Sequence, residues 1–214
     1  MKENKKLFIG SACCFVLFII FTLLVKNVGV MPVGPQNSEV GFASVNKAVS
    51  DSLPYNDFMY NLSEVLGYIA ILSVAFFGLF GIMQLFIKKG FSKVDKDLYI
   101  LCGLYAGVLA CYILFEKIII NYRPVILDEG LEASYPSSHT MLTICTMSVA
   151  MMQITRRVID GRIKTLLISL CTLIMAGTLI GRVLSGVHWL TDIIGALLLS
   201  VALVYTYRMV LKSE

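Results

Sequence analysis

The chain has 214 residues, a formal net charge of +4, a hydrophobic fraction of 57% and a mean hydropathy of +0.81. Soluble domains are roughly 45–50% apolar, so a soluble fold could not bury all the apolar surface of this chain. The modest charge argues against a nucleic-acid partner, and the length fits a single domain, 1–214. We therefore predict one domain embedded in a membrane.

Six apolar runs organise the chain. A helix that spans a bilayer needs about 20 mostly apolar residues. The runs that approach or meet this length are 7–25, 65–87, 98–120, 140–154, 165–180 and 189–210. The first run resembles the core of a signal peptide, but it is long enough to span and no clean cleavage site follows, so we predict an uncleaved helix. The expected fold is all-α, a bundle of six transmembrane helices.

The basic residues predict the orientation of this bundle. Most of them precede the first run, separate the second from the third and the fourth from the fifth, or follow the sixth: Lys2, Lys5, Lys6, Lys88, Lys89, Lys93, Lys96, Arg156, Arg157, Arg162, Lys164, Arg208 and Lys212. These segments share one side of a six-span bundle, and clusters of Lys and Arg mark the cytoplasmic side. We expect a multi-pass cell-membrane protein with both termini cytoplasmic.

Three connections fall on the extracytoplasmic side in this topology. The longest is 27–64, and within it residues 42–53 could form a short helix on the membrane surface. A role in substrate entry is one interpretation of this loop, and a plain packed loop is the favoured one. The other two connections are 121–139 and 181–188.

Both histidines of the chain lie on this same side. His139 and His188 each stand at the outer end of a predicted helix, preceded by Arg123 and Arg182 respectively. Ionisable residues at such positions in a membrane protein are candidates for function. Snorkelling arginines and interfacial histidines would explain each residue singly, but the joint arrangement favours a catalytic site.

The segment HWLTD places His188 and Asp192 four residues apart, on one face of a helix. A carboxylate there can accept a hydrogen bond from one imidazole nitrogen and leave the other free to attack. A structural helix cap is the alternative interpretation of Asp192.

The segment PSSH, residues 136–139, is typical of a helix start, with Ser137 and Ser138 able to cap free backbone N–H groups. Such a helix N-terminus is a natural anion site. His139 beside a bound phosphate could protonate a leaving oxygen.

Forked donors from Arg123 and Arg182 would bind phosphate oxygens. Phosphoryl transfer needs mainly positioning and charge neutralisation, for which two arginines and helix N–H groups suffice. We therefore expect no metal and no cofactor, and the sequence has neither a Walker loop nor a dinucleotide fingerprint.

These residues resemble the type 2 phosphatidic acid phosphatase family of integral membrane phosphatases. The motifs of that family are K-x6-R-P, P-S-G-H and S-R-x5-H-x3-D. Here the first ends correctly at Arg123, the second reads PSSH, and the third reads GRVLSGVHWLTD with the full spacing of Arg182, His188 and Asp192. The motif-bearing core runs over 98–210, and the six-helix layout agrees with the resemblance.

The resemblance implies a role for each matching residue. His188 attacks phosphorus and forms a phosphohistidine, Asp192 orients His188, and His139 protonates the leaving group. The phosphate oxygens are held by Arg123, Arg182, Ser137 and Ser138. Water then hydrolyses the intermediate, without an obligatory metal.

Three positions depart from the family motifs. Glu116 stands where the motif lysine is expected, and Lys117 is one step of about 100° further round the helix. Both are possible modulators, because the exchange removes a positive charge near the phosphate and adds a negative one. Ser138 replaces the motif glycine and adds a hydroxyl, whereas Gly181 replaces the motif serine and loses one.

The loop before PSSH carries further acids, Asp128, Glu129 and Glu132. A solvated acidic loop is the favoured interpretation, and recognition of a cationic headgroup or repulsion of free phosphate is the alternative.

Three functions remain open from the sequence. The first is a membrane lipid phosphatase acting on a lipid phosphate or diphosphate within the membrane. Its preferred substrate is undecaprenyl diphosphate, with phosphatidylglycerol phosphate and phosphatidic acid as further candidates by family analogy. The second is a lipid-linked phosphotransferase, and the third is a non-catalytic lipid-binding or transport protein.

Overall fold

The structure is a computed structural model that describes residues 2–127 and 130–213, without the side chains of Lys2 and Ser213. Asp128 and Glu129 of the acidic loop lie outside the described residues. The fold is all-α, as predicted. The described residues form seven α-helices: α1 (Lys2–Asn27), α2 (Ala43–Ser52), α3 (Asp57–Lys88), α4 (Lys96–Lys117), α5 (Ser138–Arg157), α6 (Gly161–Leu184) and α7 (Leu190–Ser213).

Five of these helices, α1, α3, α4, α6 and α7, are long and apolar enough to cross a membrane. They correspond to five of the six predicted spans. The remaining predicted span is α5, whose 20 residues would extend about 30 Å. Its sequence is less apolar than those of the other five long helices, and it contains polar side chains such as Thr143 and Gln153. These side chains are buried, and α5 packs against α3, α6 and α7. The count of six spans therefore stays a prediction.

The helix α3 begins well before the predicted run. Asn56 caps it by accepting a hydrogen bond from the Met59 N–H at 3.0 Å, so the helix starts at Asp57 and not at 65. The predicted loop 27–64 was thus wrong at its end. The extra two turns carry Tyr60 and Glu64 into the bundle, where they bear on the site described below.

The short helix α2 packs onto the start of α7. The amide of Asn46, which is fully buried, donates to Thr191 Oγ1 at 2.9 Å and to the carbonyl of Gly41 at 2.7 Å. Its oxygen accepts from the Thr191 N–H at 3.2 Å. These bonds agree with the packed-loop interpretation of this connection and support the segment that carries His188.

An ion-pair network closes the end of the bundle that is predicted to be cytoplasmic. Arg157 donates to both carboxylate oxygens of Asp97 at 2.8 Å and to Asp95 at 2.8 Å. Lys88 and Gln84 also bond to Asp95, at 2.6 and 2.8 Å. The network joins α3, α4 and α5 at one end, and the histidines lie at the other.

Candidate active site

A cavity of about 480 Å³ opens at the end of the bundle that is predicted to be extracytoplasmic. One wall is apolar: Cys111, Tyr112 and Phe115 come from the last two turns of α4, and Ile119 comes from the segment that follows it. The polar lining comes from α4, the following loop, the start of α5 and the turn before α7: Glu116, Arg123, Glu132, Ser138, His139 and His188. The structure thus brings together most of the predicted site residues. A polar end beside an apolar wall suits an amphipathic ligand.

His188 lies in the turn before α7, with its carboxylate neighbour on the first turn of that helix. Its Nδ1 is 3.5 Å from Asp192 Oδ2. Asp192 is fully buried and accepts hydrogen bonds from the Trp189 N–H at 2.9 Å and from Asn121 Nδ2 at 3.2 Å. The bond to Trp189 is the reach-back of an acidic residue at the third helical position. Asp192 therefore combines the helix cap with a position beside His188.

The imidazole of His188 is held neutral by its surroundings. Burial, and after it the positive charges of Arg123 and Arg182, hold its pKa well below the usual value of 6.5. Because Nδ1 faces Asp192, Nε2 is the nitrogen left for chemistry. A buried, neutral imidazole has the unprotonated nitrogen that a nucleophile needs.

The other histidine is linked to Arg182 through a carboxylate on α3. Glu64 Oε2 lies 3.2 Å from His139 Nε2, and Glu64 Oε1 accepts from Arg182 Nη2. The guanidinium of Arg182 is fully buried and lies over the ring of Tyr60, 5.5 Å from its centroid. One carboxylate thereby fixes side chains of α5 and α6, and it leaves Nδ1 of His139 for a further partner.

Both arginines keep buried donors without a hydrogen-bond partner among the described residues. In Arg123 these are Nε and Nη1, although Glu132 Oε2 is 2.8 Å from Nε, at an angle that does not make a hydrogen bond. In Arg182 they are again Nε and Nη1. Both ring nitrogens of His188 also lack one. Such groups are costly to bury unless something satisfies them, so this cluster fits an anion with several acceptor oxygens.

The two serines of PSSH have different positions. Ser138 lines the cavity, whereas Ser137 is fully buried and is not part of the lining. Ser137 occupies the N-cap position of α5, but its hydroxyl pairs with Thr140 Oγ1 at 3.0 Å and makes no cap bond. The predicted cap by Ser137 was therefore wrong, and its hydroxyl does not occupy the N–H groups at the start of α5.

The departures from the family motifs also have distinct positions. Glu116 is exposed on the cavity wall and makes no ion pair within the described ranges. Lys117 is exposed outside the lining. Gly181 packs on α3, where a Cβ atom would lie 2.9 Å from Ser63 Cβ. A serine at 181 would therefore collide with Ser63 Cβ or push α3 away.

Two residues of the site were missed by sequence reasoning. Glu64 was assigned to a loop, yet the spacing of Tyr60, Glu64 and Gly67 places them on one helical face once Asn56 is taken as a cap. No local sequence pattern marks Asn121 as a site residue, because its hydrogen-bond partners are distant in sequence. Its amide reaches Asp192 and its side-chain oxygen accepts from the Gly41 N–H at 3.4 Å.

The sequence and the fold were compared with those of known proteins. The sequence profile of the PAP2 superfamily matches residues 69–214, which is most of the chain and includes all three motifs. The chain belongs to the PAP2 superfamily. The resemblance to type 2 phosphatidic acid phosphatases is thereby confirmed.

The fold of this PAP2 protein is similar to one solved structure. That structure is described as the first transmembrane PAP2 type phosphatidylglycerolphosphate phosphatase from Bacillus subtilis. The TM-score is 0.70 at 16% sequence identity, and the alignment covers 95% of this chain and 96% of the other. The likeness supports a multi-pass membrane fold. No match is found among the curated proteins.

The first prediction concerns Gly67 in α3 of the PAP2 fold. A Cβ atom there would lie 2.6 Å from His139 Cδ2, whereas one at Gly78, in the same helix, meets nothing within 4 Å. We expect Gly67→Ala to displace His139 and lower kcat by about a hundredfold, the scale of a 1 Å misplacement. Gly78→Ala is the matched control, with kcat unchanged. Equal activity of both variants would contradict the contact between α3 and His139.

The second prediction concerns the charge of His188. With only two histidines, the imidazole ¹⁵N resonances can be followed by NMR and assigned with His139→Asn. We expect His188 to remain neutral at pH 6.5 and to gain its proton only at lower pH. The unfolded chain then binds more protons below pH 6.5, so His188 lowers stability as the pH falls through this range. A midpoint at or above 6.5 would contradict the account.

Proposed function

We propose that this protein is a membrane lipid phosphatase that cleaves a lipid phosphate or diphosphate through a phosphohistidine at His188. The observation that carries the proposal is the set of unpartnered buried donors on Arg123 and Arg182 around a buried, neutral imidazole. A phosphate group offers the acceptor oxygens that this set requires. The apolar α4 wall beside it supports a lipid over a soluble ester.

In the first step, His188 Nε2 attacks phosphorus. The N–P bond forms as the bond from that phosphorus to the leaving oxygen breaks, and His139 gives a proton to that oxygen. The leaving oxygen is the ester oxygen of a lipid monophosphate or the bridging oxygen of a lipid diphosphate. Because Glu64 occupies the Nε2 side of His139, Nδ1 is the nitrogen that transfers the proton. The arginines bind the equatorial phosphate oxygens, where charge is neutralised during transfer.

In the second step, water attacks the phosphohistidine. His139, now neutral, takes a proton from the water as the new P–O bond forms and the N–P bond breaks. Inorganic phosphate leaves, and His188 returns to its neutral form. Asp192 stabilises the positive charge that His188 carries while the N–P bond exists, from its position 3.5 Å from Nδ1.

Undecaprenyl diphosphate is the proposed substrate. Its long prenyl chain would lie along the apolar wall with Tyr112, Phe115 and Ile119. Only the terminal phosphate of its diphosphate is transferred to His188. The other phosphate stays on the lipid, so the leaving group is a lipid monophosphate. The active site is proposed to face the extracytoplasmic side, since the clusters of Lys and Arg lie at the other end of the bundle.

The test is phosphate release by the purified protein from undecaprenyl diphosphate, phosphatidylglycerol phosphate, phosphatidic acid and a sphingoid phosphate, with EDTA present throughout. We expect release that falls at least about a thousandfold in His188→Ala, as for other catalytic nucleophiles. With labelled substrate, an acid-labile phosphate should be trapped at residue 188 of the native protein. A folded protein without release from any of these lipids would contradict the phosphatase proposal.

A further prediction concerns Glu116, whose carboxylate lines the cavity at the position of the motif lysine. We expect Glu116→Lys to raise kcat/KM for a dianionic monoester such as phosphatidic acid by about tenfold, because a repulsive charge becomes attractive. Lys117→Met, beside it but outside the lining, should change kcat/KM less than twofold. No gain in Glu116→Lys would show that the carboxylate does not act on the bound phosphate.

A further inference from the structure

A second cavity, of about 670 Å³, lies between α5, α6 and α7. It is at the basic end of the bundle, away from both histidines, and the reaction proposed above does not use it. Its size falls in the range of about 300–1,000 Å³ that is typical of small-molecule sites. We call it the basic groove, after the three cations in its lining: Arg156, Arg208 and Lys212.

The walls of the basic groove are apolar along the depth of one bilayer leaflet. Its lining on α5 extends from Arg156 to Ile144, twelve residues or about 18 Å along the helix. Half of a hydrocarbon core is about 15 Å. The apolar side chains along this depth are Ile144, Met151, Ile168, Met175, Val201 and Val204. Methionines adapt to irregular apolar partners such as an acyl chain.

The mouth of the groove holds three cations, two of which have acidic partners outside the lining. No acidic side chain lines it, within the part of the chain that the structure describes. Glu3 pairs with Lys212. Asp97 accepts two hydrogen bonds from Arg157 and is also the acidic partner of Arg156. Arg156 lies 3.6 Å from Asp97. The remaining cation, Arg208, is half-buried.

Arg208 is the cation that most clearly lacks a partner. It makes no hydrogen bond or ion pair within residues 2–127 and 130–213, although Glu3 is close enough for the two charges to interact. A guanidinium in this position can donate two parallel bonds to a phosphate. Basic pockets between transmembrane helices are suited to anionic headgroups for this reason.

We propose that the basic groove binds one anionic phospholipid from the leaflet at that end of the bundle, predicted to be the cytoplasmic leaflet. The lipid phosphate lies between Arg208 and Arg156, and one acyl chain lies along the apolar wall towards Ile144. The lipid fastens α6 to α5 and α7 at this end. The proposal is independent of the phosphatase activity, because the groove and the histidines are at opposite ends.

The experiment is native mass spectrometry of the detergent-purified full chain, titrated with phosphatidylglycerol or with phosphatidylcholine. Phosphatidylglycerol carries only a phosphodiester, so it is no substrate for a monoester phosphatase. We expect one phosphatidylglycerol to bind and at least tenfold weaker binding in Arg208→Gln. Arg208→Lys should retain most of the binding, and Arg162→Gln, an exposed cation of the same end outside the groove, should retain all of it.

Several outcomes would overturn the proposal. Equal binding of phosphatidylcholine would show a site for bulk lipid. Equal losses in Arg208→Gln and Arg162→Gln would show attraction by the general charge of this end. A dimeric mass without bound phosphatidylglycerol would assign the groove to a second copy of the chain. Phosphatase activity of Arg208→Gln, expected to match the native protein, shows that the variant is folded.

Discussion

The contact of Glu64 with Arg182 and His139 is the interaction on which the site depends. A guanidinium that is fully buried in an apolar bundle is unfavourable without an opposite charge, and Glu64 is the carboxylate that supplies it. The same carboxylate holds His139 Nε2 at 3.2 Å. Three helices, α3, α5 and α6, are therefore fixed to one another by one side chain, and Nε and Nη1 of Arg182 keep no hydrogen-bond partner among the described residues.

The second half of the site is built around a neutral His188. The positive charges that would bind phosphate also disfavour a proton on the nucleophile, so one arrangement of arginines serves both purposes. Asp192 remains beside His188 because Asn121 and the Trp189 N–H hold its oxygens. Asn46 in turn fastens α2 to the same helix start. The long connection before α3 thus supports the segment that carries His188.

The sequence predicted the parts of this fold that depend on local pattern. Five apolar runs became helices long enough to span, and the motif residues Arg123, His139 and His188 meet in one cavity. Two errors came from boundaries. Starting a helix at 65 hid Glu64, because hydropathy marks the apolar stretch and not the cap at Asn56. The capping role of Ser137 failed because Thr140 competes for its hydroxyl.

Other features of the site depend on contacts between segments that are distant in sequence. No local sequence pattern predicts such contacts. Gly181 was interpreted as a lost hydroxyl, whereas in the fold it admits Ser63 of α3 at close range. Asn121 reaches Asp192 across 71 positions of sequence. Glu116 and Lys117 are neighbours on α4, one helical step apart. The packing of α4 decides that Glu116, and not Lys117, faces the cavity.

The most direct test of this account is the kinetic effect of Glu64→Gln, which removes the charge and keeps the size. We predict that kcat for lipid phosphate release falls by about ten- to a hundredfold while KM changes less, because Arg182 and His139 lose their common positioning partner. Asp57→Asn, an exposed acid on the same helix, is the control and should leave kcat unchanged. Native kcat in a folded Glu64→Gln protein would contradict the account.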